Sequence, residues 1–522
     1  YKLHYVLIDF PTNGKISFDA IMSDFVIAHI DDKCFALTFI DNDTLVGISP
    51  VLPQFKGERK LSEQTMWGAE IFNIDNHFLG FRYKEIKDGY LFVIHNSFSA
   101  VEARSGANYF IDHVDVDSLL DKYQSYYLNL PKCKDKKYES LYYKAMSINK
   151  VNTHSPEGKI QRMWTTPDRV PHRHMWMWDS AFHCIAISEY NHELAEQAFL
   201  AMLEQMREDG FMPHMANPTD CSDVTQPCIM SWGAYNIYLN TRNLDFLKQC
   251  VPYLEKYLNY DIQNRDENKN GLLEWFTEPD YTICKCGESG LDNSPRFDFD
   301  EKMDCFDFTT YLAIDSEYLS KIYELLGDSE NAKKWLKLHQ NTSELINKYF
   351  WYEEGGYYCD RLFDGTLTKV LTHTSFLPMF AGISSKAQAE KMVKTILDES
   401  KLNTPFPFAS ISQDHPTYST DMWRGASWLN VDYFIISGLK KYGYNDLADS
   451  FRNIILDKVN KWYKKTGVIF EFYDSQDAIS PYMCKRKGDP LKSPDYRKHV
   501  HSISDYNWSA CFTILFIQNI YR

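Results

Sequence analysis

The sequence predicts a mainly α protein: an (α/α)6 toroid over residues 131–522, preceded by a β-sandwich domain over residues 1–130. Two observations carry that prediction. Hydrophobic spacing changes from a strand period to a helical period near residue 130, and about twelve helical segments follow, most of them pairing across short turns. Length agrees, since 522 residues at roughly 150 per domain give room for two or three domains.

The strands come first. Asp24–Asp31, Cys34–Ile40, His77–Tyr83 and Tyr90–His95 are short and rich in β-branched and aromatic residues, and turn signals such as Asp31-Asp32 and Asp88-Gly89 bound them. That spacing suits a sandwich. Leu128–Lys137, with Pro131 and several lysines, reads as the linker. Helical periodicity follows. His192–Asp209 places Leu194, Ala198, Met202 and Met206 on one face, and Asp328-Ser329 caps a run carrying Trp335, Leu338, Leu345 and Tyr349. The segments begin near Tyr138, Asp179, His192, Cys228, Leu244, Phe308, Ser329, Thr372, Ser385, Arg424, Asn445 and Ile503. Six antiparallel hairpins can close into a toroid whose longer loops gather at one end and wall a pocket. No helix–turn repeat of fixed length recurs, which weighs against a solenoid.

Composition narrows the function. A net charge of −15, with no basic run longer than two or three residues, excludes phosphate-backbone binding. No stretch of about 18 apolar residues is present, so no membrane-spanning helix is expected. Tyr1–Leu7 lacks the charged start and cleavage site of a signal peptide, which favours a cytoplasmic protein. The 12 cysteines form no CxxC pair, and Cys284/Cys286 and Cys221/Cys228 lack zinc-site partners. They read as mostly buried thiols in a reducing compartment. No glycine-rich phosphate loop occurs, so no organic cofactor is expected. His172, His174 and His183 lack metal-site spacing and read as hydrogen-bonded or surface groups. Asp266-Glu-Asn268-Lys-Asn270-Gly271 copies the first half of a calcium loop, with Thr277 where the closing acid belongs, so a structural calcium would need Glu274 as substitute, and an ordinary Asn-Gly turn is the alternative.

The aromatic content is unusual: 12 Trp, 35 Tyr and 33 Phe make 15% of the chain, and aromatic residues gather beside acids in four places, with tryptophan in the first three. These are Trp176–His183, Glu274–Asp298, Asp421–Trp428 and Val468–Asp474. Such clusters suit a sugar site, because indole faces stack on the C–H faces of pyranose rings while carboxylates and guanidinium take the hydroxyls.

Glu288-Ser-Gly-Leu-Asp292-Asn-Ser-Pro-Arg296 resembles the ESGxD signature of the inverting α-glycosidases of glycoside hydrolase families 63 and 37. Trp178-Asp179 with Phe182-His183 resembles the WDxxFH element of these families, Trp423–Trp428 their WRGPxW element, and Phe470–Tyr473 the segment that holds their base. Thr225-Gln226-Pro227 and Tyr506-Asn507-Trp508-Ser509 are similar to their SQP-like and FGWS-like pieces. The likeness runs in one order from about Trp164 onward, with Ala426 replacing the usual proline and Tyr506-Asn507 the usual Phe-Gly.

The resemblance implies an inverting, exo-acting hydrolase, an α-glucosidase first, acting on a small oligosaccharide or glycoside. It assigns Asp292 as general acid and Glu471 as general base. Inversion sets two carboxyl groups roughly 6.5–9.5 Å apart to admit a water. The acid must carry its proton near neutral pH, for which burial against Trp275 or Phe297 is expected. Trp178, Asp179, Gln226, Trp275, Trp423, Arg424 and Trp428 are the expected sugar-binding residues, with Glu288 as an orienting group. A glycerate leaving group would call for cations nearby, for which Arg296 and Arg169 are available. The alternatives are a sugar epimerase or phosphorylase on the same ring, or a carbohydrate-binding homologue without turnover. Activity surviving in Glu471→Gln, or a phosphate requirement, would favour the former.

Overall fold

A computed structural model describes residues 6–57, 62–66, 68–74, 76–170, 172–277, 284–299, 301–487 and 502–521. Glu278, part of an acidic cluster in the sequence, lies outside them. The chain divides into two compact units, Tyr1–Lys132 and Cys133–Arg522.

The described residues of the first unit form ten strands: β1 (Val6–Asp9), β2 (Ile16–Ile21), β3 (Phe25–Ile30), β4 (Lys33–Phe39), β5 (Thr44–Ser49), β6 (Gln54–Gly57), β7 (Ser62–Met66), β8 (Ala69–Ile74), β9 (His77–Ile86) and β10 (Gly89–Ser97). Eight of them join one sheet in the order β2-β3-β4-β5-β10-β9-β8-β7, antiparallel throughout, and β1 pairs with β6 as a separate ribbon. The expected sandwich is thus one large sheet with a two-stranded ribbon. On one sheet face, Phe72, Phe81, Phe92 and Ile94 form a core beneath Ile8, Phe10 and Phe55. The other face carries α1 (Ala100–His113), capped by Ser99; His95 meets Phe110 at 5.9 Å. Gly80 is needed there, because a Cβ would come within 2.1 Å of the Ala103 carbonyl oxygen. Both faces of β10 are therefore covered, which explains its unbroken apolar run Leu91–Ile94. With α2 (Val116–Leu128, capped by Asp115), α1 corrects the expectation that strands fill the unit.

The second unit is helical. Its helices among the described residues are α3 (Glu139–Val151), α4 (Met177–Ile187), α5 (His192–Leu203), α6 (Met230–Thr241), α7 (Leu244–Asn264), α8 (Phe306–Leu325), α9 (Ser329–Tyr349), α10 (Leu377–Ala381), α11 (Lys386–Leu397), α12 (Leu429–Lys441), α13 (Asn445–Thr466) and α14 (Asn507–Gln518). Asn191, Asn243, Asp328 and Ser385 cap α5, α7, α9 and α11 through side-chain oxygens. The even-numbered helices touch in sequence, α4 to α6, α6 to α8, α8 to α10, α10 to α12 and α12 to α14, and α14 returns to α4. The pattern of burial follows. Every residue of α4, α10 and α14 is buried, whereas α9 buries Ala332, Trp335, Thr342 and Ile346 along one stripe. A helix covered all round reads as uniformly apolar, and an outer one as amphipathic. Among the described residues no helix is long and apolar enough to cross a membrane. All 12 cysteines are free thiols, eight of them buried.

Candidate active site

The signature loop Glu288–Arg296 is built residue by residue. Glu288 is buried and accepts from the backbone N–H of Thr225 (3.4 Å) and Phe276 (2.9 Å) and from Arg265 Nη2 (2.6 Å). It orients the loop, as the sequence suggested. Gly290 adopts φ +71°, and a Cβ there would lie 2.5 Å from the Trp178 ring. Asn293 donates to Asp421 Oδ1 (3.1 Å) and accepts from Trp423 N–H (3.1 Å), tying this loop to the Trp423–Trp428 segment. Arg296 is fully buried between Asp307 and Asp360, so it locks the loop and does not reach the pocket.

Between these anchors Asp292 lines a pocket holding about 390 Å3 of open space. Trp178, Asp179, Gln226, Trp423, Trp428 and Glu471 line it too, so seven of the nine expected site residues meet there. Trp178 and Asp179 come from the first turn of α4, and Gln226 Oε1 accepts the Trp178 backbone N–H at 3.2 Å. The Trp423 and Trp428 rings stack at 3.7 Å and 6°, and Trp428 continues the stack onto Phe472 at 4.6 Å. Glu471 is held through its backbone: its carbonyl accepts from Trp508 Nε1 (3.3 Å) and Ser509 Oγ (3.0 Å) at the start of α14.

Two expected residues lie elsewhere. Trp275 stacks on Phe308 at 3.7 Å, donates its indole N–H to Asp307, and lines a separate cavity with Phe276 and Phe297. Arg424 points away into a bidentate pair with Asp298 (2.6 and 2.9 Å). The expected burial of Asp292 against Trp275 or Phe297 gives way to an ion pair with Lys487 at 2.5 Å.

Asp179 is 2% exposed, and its Oδ1 has no hydrogen-bond partner. Burial, with Glu471 and Asp168 nearby, pushes its carboxyl well above the ordinary range. A buried oxygen without a partner, on a pocket wall, is ready to accept a sugar hydroxyl. Arg486 pairs with Glu471, and His172, Trp176, Tyr506 and Trp508 complete the wall. Burial would lower the Arg486 and Lys487 cations, but Glu471 acting on the first and Asp292 on the second raise both. Sequence reasoning missed Arg486 and Lys487. Lys485-Arg486-Lys487 is a basic run in an acidic chain, and that was the available signal.

The three histidines separate. His172 pairs with Asp168 at 2.7 Å, His183 is buried beside Thr165, and burial lowers His174. Among the described residues no cluster of three or more metal-ligating side chains occurs. The Asp266–Gly271 turn is closed by its own hydrogen bonds. Asp266 accepts the N–H groups of Asn270 and Gly271 (both 2.9 Å), and the Asn268 and Asn270 amides donate to Asp304.

Residues 172–509 match the family model described as mannosylglycerate hydrolase MGH1-like glycoside hydrolase domain. An uncharacterized protein of Borreliella burgdorferi is 28% identical over 265 residues, covering 50% of this chain and 53%, about half, of that one. Mannosylglycerate hydrolase MGH1 of Selaginella moellendorffii is 22% identical over 392 residues, 59% of this chain and 77% of its own. Among solved structures, the glycoside hydrolase family 63 mannosylglycerate hydrolase of Thermus thermophilus, in complex with glucose, superposes with a TM-score of 0.58 at 19% identity, covering 73% of this chain and 100% of that one.

Proposed function

The chain belongs to glycoside hydrolase family 63, in its mannosylglycerate hydrolase MGH1-like group, and from that premise we propose that it is an inverting, exo-acting α-glycoside hydrolase, an α-glucosidase in the first reading. The observation that carries this is the meeting of Asp292 and Glu471, from distant segments, in one pocket walled by Trp178, Trp423 and Trp428. We read the closed circuit of even-numbered helices as the inner ring of an (α/α)6 toroid, with the pocket at one of its ends.

In this mechanism Asp292 donates a proton to the glycosidic oxygen as the C–O bond breaks. Glu471 takes a proton from a water that attacks the anomeric carbon from the opposite face, and the sugar leaves inverted. Asp179 and Gln226 hold hydroxyls, and the tryptophans pack the ring.

Lys487 favours a second reading in which the leaving group is acidic, as in a glycosylglycerate. Its ammonium lies 2.5 Å from Asp292, the residue that meets the leaving group in this scheme. A carboxylate on the leaving group would give Lys487 another partner and release Asp292. Arg296 and Arg169, the cations available from sequence, are replaced in this role by Lys487, with Arg486 beside it.

The test is sugar release from α-linked glucose disaccharides, trehalose, glucosylglycerate and mannosylglycerate, with proton NMR of the anomeric signal. β-Sugar appearing first, and lost in Asp292→Asn, is the expected result; α-sugar first would overturn the carboxylate roles. If the second reading holds, Lys487→Met lowers turnover of the glycerate-linked substrates about tenfold or more and affects the disaccharides less.

A further inference from the structure

Behind Glu471 runs a chain of polar contacts that the reaction scheme does not use. Arg486 pairs with the Glu471 carboxylate, and both side chains are buried. The other end of the guanidinium, Nη2, lies 3.4 Å from His172 Nε2, and His172 Nδ1 lies 2.7 Å from Asp168 Oδ2. Asp168 is 1% exposed, and its second oxygen accepts the His172 backbone N–H at 3.0 Å. The segment bearing Asp168 is itself anchored. Asn507, the first residue of α14, donates its backbone N–H to the Pro167 carbonyl (2.6 Å) and its side-chain amide to the Thr166 carbonyl (3.1 Å).

The chemistry gives this chain a direction. A guanidinium only donates hydrogen bonds, so His172 Nε2 must carry a lone pair, and the imidazole proton sits on Nδ1, facing Asp168. Neutral His172 thus offers an acceptor to Arg486 while Asp168 fixes its tautomer. Arg486 needs that restraint because it also feels Asp292, the second carboxylate of the pocket. We propose that Asp168 and His172 are positioning residues for the reaction: they hold Arg486, and through Arg486 they keep the Glu471 carboxylate aimed at the attacking water. This rests on Glu471 being the general base.

The experiment compares His172→Ala, His172→Gln and Asp168→Asn with the wild-type chain and with Glu471→Gln, on the glycosides named above. Glutamine can donate to Asp168 and accept from Arg486, and alanine can do neither. The expected pattern is a kcat about tenfold lower in His172→Ala with KM within about twofold, most of it recovered in His172→Gln. Equal kcat in the Ala and Gln variants would overturn the proposal. So would a raised KM with kcat kept, which would mean that His172 binds the sugar directly. Full activity in Glu471→Gln would remove the base assignment itself, whereas inactive Glu471→Gln beside unaffected His172→Ala would remove only the positioning role. Side-chain nitrogen NMR of the wild-type chain, with His172→Gln assigning the resonance, tests the geometry without any substrate. A neutral imidazole protonated at Nδ1 is expected, and protonation at Nε2 would overturn the relay.

Discussion

Asp179 answers two opposed demands. Its buried Oδ1, which has no partner, is suited to a sugar hydroxyl, yet burying an ionisable group costs stability. The direction with pH follows from the raised value. A carboxyl whose folded pKa lies above 3.8 contributes stability that is fully present below that value and is lost as pH rises through the folded one. Asp179→Asn cannot ionise, so in thermal melts it should be the more stable protein at neutral pH, with the advantage vanishing toward about pH 4. Its kcat/KM should fall at least about a hundredfold. A variant both less stable at neutral pH and fully active would sink the assignment. Asp179 was legible in the sequence because a tryptophan and an acid open a helix there, in a motif with a known place. Arg486 and Lys487 offered only a three-residue basic run, which does not say which acids they will meet, and His172 carried no pattern tying it to the pocket. Trp275 shows the opposite error: a tryptophan between acids looked like a sugar platform, but its indole N–H serves Asp307.

At the scale of elements, the starts of all twelve described helices of the second unit lie within five residues of the expected ones, although α5 ends at Leu203 and not near Asp209. Caps such as Asn191, Asn243, Asp328 and Ser385 mark their starts, and the outer helices alternate in a way that only helical burial explains. The sheet was harder. Period-two alternation locates strands but does not say which neighbour each one takes, so the single eight-stranded order was hidden. The helices α1 and α2 followed the strands too closely to be separated from them. Between neighbouring even-numbered helices, elements are joined by side chains that substitute for missing caps. The N-terminus of α6 has no cap of its own. Its Ser231 and Trp232 N–H groups are met by Asp315 of α8, at 2.8 and 3.0 Å. Asp315→Ala should therefore cost about 2–4 kcal/mol in urea unfolding, since two buried donors lose their acceptor. Burial pushes this carboxyl up to about 7, so the wild-type stability should decline between about pH 4 and pH 7, a slope the alanine variant lacks. An unchanged unfolding midpoint would mean that α6 finds its acceptor elsewhere.

At the scale of the helical unit, fold and chemistry are linked by α14. It touches both α4 and α12, completing the circuit of inner helices, and its first turn holds the Glu471 backbone through Trp508 and Ser509. The residue Phe512 makes this concrete, with its ring 5.0 Å from Phe182 of α4 and 5.0 Å from Tyr433 of α12. Ile346 of α9 is equally buried but belongs to a helix with one apolar stripe. Large-to-small changes at both sites remove comparable packing, about 3–5 kcal/mol for Phe512→Ala and about 2–5 kcal/mol for Ile346→Ala. Their effects on catalysis should nonetheless differ. A cavity in the outer layer can relax locally, whereas one at Phe512 loosens the seam between the helix carrying Asp179 and the helix that positions Glu471. Measured where both variants remain fully folded, kcat should fall several-fold in Phe512→Ala and stay near wild type in Ile346→Ala. Equal kcat in the two, at matched stability, would show that the pocket is held by its loops alone and that closure of the helix circuit serves only to stabilise the chain.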